Sequence, residues 1–219
     1  MPIPANQPLS QLGGITAAQF LSEYWGKKPL LIRQAFVDFE AKHQPFSIAD
    51  VLKLAGYDEA QSRLIATPSK AAKGTKTPWI MERGPFRKKR FDALKSEKWT
   101  VLVQDTQHFS HEAHKLLAHF NFISHDRIDD LMVSFASAGG GVGPHVDSYD
   151  VFLLQGSGTR RWQISKQTDL TWVKDAPLKI LKNFKAEQEW DLVAGDMLST
   201  LLSTKFQKDI KNTVHVHTI

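Results

Sequence analysis

Two residues at alternate positions, His145 and Asp147, carry the strongest chemical signal in the sequence. In an extended strand, alternate side chains fall on one face, so an imidazole and a carboxylate stand side by side while Val146 turns away. That pair suits a divalent first-row metal, because imidazole and carboxylate are the ligands of open-sided non-haem Fe(II) sites. A His-x-Asp pair alone is common, and a plain hydrogen bond at a turn is its bland alternative. The setting favours the metal. A glycine-rich stretch, Gly139 to Gly143, allows close approach, and Pro144 fixes the backbone just before the histidine. A strand from Val151 to Leu154 follows, then a turn at Gly156-Ser157-Gly158 and a strand from Arg160 to Ile164. Period two puts Arg160, Trp162 and Ile164 on one face of that last strand. An arginine on the Trp162 face is expected inside the fold. Burying a guanidinium is costly without an anion, so this position asks for an acidic ligand.

The elements that must position these residues are legible from patterning. Strands are expected at Leu131 to Phe135, Val151 to Leu154, Arg160 to Ile164, Lys179 to Leu181, Trp190 to Leu192 and Met197 to Leu202, the spacing of an all-β sandwich or barrel. Upstream the chain mixes helices and strands. Thr16 with Gln19 marks a helix start carrying Phe20, Leu21, Tyr24 and Trp25, all read as core. Ser47 with Asp50 opens a second helix closed by Gly56, and Ser110 caps a third. Leu30 to Ile32, Ser62 to Ala66 and Trp99 to Val103 read as strands, and Lys70 to Thr77 as a loop. His108, His111, His114 and His119 cluster around the third helix without a suitably spaced acid, so they read as solvated. The simplest division is one domain: a helical and strand N-terminal part over 1–127 and a double-stranded β-helix (jelly roll) core over 128–219. His215 and His217 alternate on a possible strand, Thr213 to Ile219; one of them reaching the metal as a displaced third ligand is the lesser reading and a frayed terminus the preferred one.

Length and composition bound the function class. The 219 residues suffice for one substantial domain, and 42% hydrophobic residues with 13 Phe and 6 Trp fit a packed core. No apolar run is long enough to span a bilayer, and MPIPANQPLS lacks a signal pattern, so no membrane partner is expected. The absence of cysteine excludes disulfides and thiolate metal sites and fits a cytoplasmic location. Lys70 to Lys98 holds ten Lys/Arg against three Asp/Glu, a net +7 in a chain of +5, so the remainder carries −2. Such a stripe is either an anion-facing surface or a solvated loop.

The block from Asp129 to Phe135 (DDLMVSF), then Gly139 to Trp162 (GGGVGPHVDSYDVFLLQGSGTRRW), resembles the JmjC-type, cupin-fold 2-oxoglutarate oxygenases, most closely the bacterial ribosomal-protein arginine 3-hydroxylases. Phe20 to Phe36 (FLSEYWGKKPLLIRQAF) and Trp190 to Leu198 (WDLVAGDML) extend the likeness over most of residues 10 to 198. The resemblance implies that His145 and Asp147 are two of three Fe(II) ligands and that Arg160 binds the distal carboxylate of 2-oxoglutarate, a match of planar donor fork to carboxylate. It further implies hydroxylation of an arginine on a large-subunit ribosomal protein. Ser134 would join Arg160 at the cofactor, Tyr149, Asp130 and Gln155 would line the substrate pocket, and the basic stretch would meet ribosomal RNA. The family's third ligand is a histidine shortly after the Gly-Asp-Met-Leu turn. Here Gly195-Asp196-Met197-Leu198 is followed by STLLSTKFQKDIKNTVHVHTI, whose only histidines are His215 and His217. The expectation is therefore of a truncated member or one altered near Ser199. The alternative to an enzyme is a non-catalytic cupin-like relative acting as a binding module without the third ligand.

Overall fold

The computed structural model describes residues 6–42, 46–67, 77–94, 97–200, 205–211 and 213–218. Helix starts follow their capping residues. Thr16 Oγ1 accepts the Gln19 N–H at 3.0 Å and opens α1 (Ala17–Glu23). After a single turn of helix α2 (Phe39–Lys42), Ser47 and Asp50 satisfy each other's backbone in a reciprocal box that opens α3 (Ile48–Leu54). Patterning does not disclose α4 (Lys88–Asp92), which a run of four basic residues hides. Ser110 Oγ accepts the Ala113 N–H to begin α5 (His111–Ala118).

Among the described residues, twelve strands form two antiparallel sheets. They are β1 (Leu30–Ile32), β2 (Ser62–Thr67), β3 (Ile80–Arg83), β4 (Lys98–Val103), β5 (Leu131–Ala136), β6 (His145–Val146), β7 (Val151–Gln155), β8 (Thr159–Ser165), β9 (Gln188–Val193), β10 (Met197–Thr200), β11 (Lys205–Lys211) and β12 (Thr213–Thr218). The large sheet runs β1-β10-β7-β12-β5-β4-β2-β3 and the small one β6-β11-β8-β9. The chain passes from β5 to β6, β7 to β8 and β9 to β10 by changing sheet each time, the winding of a jelly roll. The fold is mainly β with a helical cover, as the sequence leads one to expect.

Alternation sorts the strands into an outer and an inner face. Phe152, Leu154, Val133, Phe135, Met197, Val214 and Val216 lie in one cluster with the helical cover, where the Phe120 and Phe152 rings are 4.8 Å apart and Trp25 is 5.5 Å from Phe152. Val151, Leu153, Leu198, Trp162, Ile164 and Leu192 fill the space between the sheets. The N-terminal part is tied into this roll: Asp196, 1% exposed, accepts from Arg33 Nη1 at 2.6 Å and from the backbone N–H groups of Gln34 at 3.0 Å and Val193 at 3.2 Å.

Three local expectations need correction. Lys179 to Leu181 is not a strand; Leu181 makes only an isolated bridge to Trp172. Ile180 and Leu181 are both buried, so the segment has no strand-like alternation, and the Leu181 N–H instead donates to Pro144 O at 2.8 Å. The strand β11 was not expected, because its charged sequence KFQKDIK hides the period; its backbone fills the gap between β6 and β8. The frayed terminus is replaced by β12, which pairs with β5 on one side and β7 on the other and buries Val214 and Val216 to 1% and 2% exposure. Residues 70–76, 95 and 96 of the basic stretch and residues 201–202 of the expected last strand lie outside the described residues.

Candidate metal centre

The turn that carries the chain from β5 to β6 is built to aim His145. Gly143 has φ +75°, and a Cβ there would stand 2.7 Å from Ile180 Cδ1 and 2.9 Å from Trp79 Cη2. Only glycine fits both the conformation and the space. Its carbonyl thereby reaches His145 Nδ1 at 2.9 Å. A carbonyl can only accept, so Nδ1 carries a proton; in the neutral ring Nε2 then holds the lone pair. On the other side of the ligand, Pro144 is held by the Leu181 N–H.

His145 Nε2 faces Asp147 Oδ1 across 3.4 Å. In the neutral ring both atoms present lone pairs, a juxtaposition that a cation between them relieves. Both donors can reach one first-row ion whose bonds are about 2 Å long. An imidazole with a carboxylate fits Fe(II), and the hydrogen bond at Nδ1 is the kind that fixes a metal-binding ring.

The pair opens on a cavity of about 260 Å³, small for a ligand site. Its wall includes Asp130, Tyr149, Trp162, Arg63 and Lys179 along with His145 and Asp147. Asp130 is 5% exposed and accepts the Asp105 N–H at 3.1 Å. Burial raises its pKa, opposed by that backbone bond and reinforced by the charges of Asp105 and Asp129. The Tyr149 phenol is also pushed up, first by burial, then by Asp147 and the two neighbouring aspartates, while Arg63 pulls the other way.

Arg160 is fully buried, paired through its backbone with Leu192 and Ile210, and burial alone draws its pKa down to about 9. It does not line the cavity. Trp162, two residues on and on the same face, does, and the Arg160 guanidinium carbon lies 5.8 Å from its ring. Of the seven sequence-derived site residues, the cavity thus brings together His145, Asp147, Asp130 and Tyr149, while Arg160 is next to the lining residue Trp162 but not in the lining itself. Ser134 and Gln155, expected at cofactor and substrate, do not line it. Ser134 is 2% exposed, and the Gln155 amide is committed to Ser157 O at 2.7 Å and Val214 O at 3.3 Å, holding the β7–β8 turn to β12. Patterning missed Arg63 and Lys179. Arg63 was findable: it interrupts the apolar strand SRLIAT and shares the cavity face with Ile65. The histidines around α5 join no metal site, and no group of three His, Cys, Asp or Glu able to hold a metal occurs among the described residues.

Residues 115–200 match the JmjC domain model. The probable ribosomal oxygenase of Haemophilus influenzae is 41% identical over 155 residues, 71% of this chain and 36% of that protein. The ribosomal protein uL16 3-hydroxylase of Escherichia coli is 34% identical over 180 residues, 82% of this chain and 45% of that protein. The chain therefore spans less than half the length of these two relatives. The X-ray structure of E. coli YcfD superposes with a TM-score of 0.80 at 32% identity, covering 91% of this chain and 51% of that one. The structure of YcfD, a ribosomal oxygenase, in complex with cobalt and 2-oxoglutarate gives 0.76 at 31% identity, covering 92% and 50%. Residues 115–200 thus carry a JmjC domain, and the chain is similar in sequence, and in fold over nine-tenths of its length, to bacterial ribosomal oxygenases.

Proposed function

We propose that the chain is an Fe(II)- and 2-oxoglutarate-dependent protein hydroxylase acting on an arginine of a large-subunit ribosomal protein. The observation that carries this reading is the 3.4 Å approach of His145 Nε2 to the Asp147 carboxylate at a cavity. The names of the relatives, a uL16 3-hydroxylase and an oxygenase complexed with cobalt and 2-oxoglutarate, supply the reaction class and the substrate class.

When bound, iron and 2-oxoglutarate couple oxidative decarboxylation of the keto acid by dioxygen to insertion of an oxygen atom into a C–H bond. The chain's residues do the rest. His145 Nε2 and the Asp147 carboxylate hold the metal, and Asp147 offsets part of its charge. The Arg160 guanidinium, already desolvated, takes the distal carboxylate with little further loss of hydration. Asp130 and Tyr149 receive the substrate guanidinium. An arriving cation favours the charged form of Asp130, which burial disfavours in the free chain. Leu153, Met132 and Trp162 keep the wall apolar and limit water. The basic stretch from Lys70 to Lys98 meets ribosomal RNA at the approach to the ribosomal substrate, and residues 1–127 and 128–219 act as one domain. In support of that division, β2 to β4 pair into the same sheet as β5 and β12.

A second reading, a non-catalytic binding module, draws on one observation: no third metal-ligating side chain joins His145 and Asp147 among the described residues. Incubating the chain with large-subunit ribosomal proteins, Fe(II), 2-oxoglutarate and air separates the two. The enzyme reading expects one added oxygen atom on an arginine-containing peptide by mass spectrometry, absent with Asp147→Ala. No added oxygen on any protein, with no consumption of 2-oxoglutarate, overturns it in favour of the binding module.

A further inference from the structure

We propose that Arg63 is a specificity-determining residue that reads the main chain of the substrate: its guanidinium donates to a peptide carbonyl oxygen beside the target arginine. This rests on the substrate reading above, in which Asp130 and Tyr149 receive the arginine side chain, and adds a contact to a different part of the same ligand.

Arg63 occupies an apolar row. Period two divides β2 into two faces. Ser62 and Leu64 belong to the far face, where Ser62 Oγ donates to Ala55 O at 3.0 Å and Leu64 joins the cluster beneath the helical cover. Arg63 and Ile65 belong to the cavity face, together with Leu102, which stands directly opposite Arg63 on β4. Ile65, Leu102 and Val142 form an apolar cluster there. A guanidinium in such a row loses hydration and needs acceptors in exchange. Arg63 Nε is shut off from solvent and has no hydrogen-bond partner among the described residues. Its other cross-strand neighbour, Arg83 on β3, is a second cation.

The carboxylates of the cavity are engaged elsewhere. Asp130 accepts the Asp105 N–H at 3.1 Å and a bond from the Gln104 side chain, and Asp147 faces His145. The missing acceptor therefore arrives with a ligand. In the reading above, 2-oxoglutarate spends one end on the metal and the other on Arg160. A polypeptide substrate brings carbonyl oxygens on both sides of its arginine, whatever residues flank it. A neutral carbonyl also adds no negative charge to a wall that already holds Asp130 and Asp147. Lys179, the other cation lining the cavity beside Arg63, is the natural comparison. It is exposed and keeps its hydration, so a ligand gains little by pairing with it. Arg63 Nε is already stripped of water, and an acceptor reaching it relieves an unpaired buried donor.

The test is calorimetric titration of the chain loaded with Mn(II) and 2-oxoglutarate, using two ligands. One is the tightest binder among blocked, arginine-centred peptides covering the large-subunit ribosomal proteins. The other is n-butylguanidine, which carries a guanidinium and no carbonyl. The expected result for Arg63→Met is a loss of peptide affinity of at least about tenfold, with n-butylguanidine and 2-oxoglutarate affinities within about twofold of the parent. Arg63→Gln, which keeps an amide donor, should recover part of the loss, and Lys179→Gln should bind the peptide like the parent. Arg63→Met should also melt no lower than the parent, since it removes an unpaired buried donor. Equal losses for peptide and n-butylguanidine would assign Arg63 to the side-chain pocket, and a loss of 2-oxoglutarate affinity would make the cofactor its partner. Unchanged peptide binding, a loss confined to peptides with an acidic neighbour, or a marked drop in melting temperature for both Arg63 variants would remove the carbonyl contact. Each of these overturns the assignment of Arg63 and leaves Asp130 and Tyr149 in place. If 2-oxoglutarate binds but no peptide binds the loaded parent chain, the substrate reading itself fails and Arg63 falls with it.

Discussion

The Gly143 carbonyl stands 2.9 Å from His145 Nδ1, and this contact decides which imidazole nitrogen confronts Asp147. A proton fixed on Nδ1 leaves the lone pair on Nε2, where a metal needs it. The contact depends on a left-handed glycine with Ile180 and Trp79 pressed against the place a side chain would occupy. Gly143→Ala should therefore destabilise the chain by about 1–3 kcal/mol through crowding and backbone strain and weaken Mn(II) binding as the carbonyl moves. Melting and Mn(II) titration check both; an unchanged affinity would show that the carbonyl does not orient the ring.

Arg160 is the residue whose replacement should separate the two cofactors. Arg160→Met removes a fully buried cation and inserts a chain of similar reach. Mn(II) affinity should stay near the parent value, whereas 2-oxoglutarate affinity in the presence of Mn(II) should fall at least about tenfold, the loss of a charge-assisted bidentate contact. Arg160→Lys should recover only part of it, because an ammonium cannot present the planar fork. Calorimetry with 2-oxoglutarate measures the difference, and equal affinities would remove Arg160 from the site.

Asp130 gives a pH dependence with a definite sign. Its folded pKa is raised above the ordinary carboxylate value, mainly by burial. The folded chain thus holds this proton to higher pH than the unfolded one, and the group's contribution to stability is lost as pH rises from the ordinary carboxylate range through the folded pKa. Asp130→Asn, whose amide oxygen can still accept the Asp105 N–H, should match the parent in acid and become the more stable of the two toward neutral pH. The same change should weaken binding of an arginine peptide. Melting temperatures across that range, with peptide binding at neutral pH, test the pair of effects; a parent more stable than Asp130→Asn at neutral pH would contradict it.

Asp196 supports the fold without touching the cavity. It satisfies two backbone N–H groups and Arg33 at 1% exposure, so Asp196→Ala strands buried donors at the junction of the N-terminal segment with the β9–β10 turn. The expected loss is about 2–3 kcal/mol of stability. Mn(II) affinity of the folded fraction should not change; denaturant unfolding together with titration distinguishes this from damage at the metal centre.

What the sequence discloses, and what it hides, follows from where the physics is local. Caps at Thr16, Ser47 and Ser110, the apolar strands β5 and β7, and the alternating β8 depend on near neighbours and were readable. So was the His145–Asp147 pair as near neighbours, although Asp147 lies just past β6 and Val146, expected to turn away, lines the cavity beside them. The burial of Arg160 could be argued from its place on the Trp162 face. Its absence from the cavity lining, beside Trp162, could not, since that depends on how the two sheets close. Gln155 looked like a pocket residue on polarity alone, yet a tight turn and β12 claim its amide. The strand β12 was unreadable as a central strand. Its two partners, β5 and β7, lie far upstream in sequence, and only pairing on both sides turns a polar terminal segment into the middle of a sheet.

The linkage between metal and keto acid is the property of this site most directly open to measurement. Calorimetric titration of 2-oxoglutarate into the chain, with and without Mn(II), measures it. The prediction is binding that requires the metal and disappears in both His145→Ala and Asp147→Ala. Binding of equal strength without metal, or binding that persists in either variant, would contradict the claim that these two side chains form the centre on which the cofactor sits.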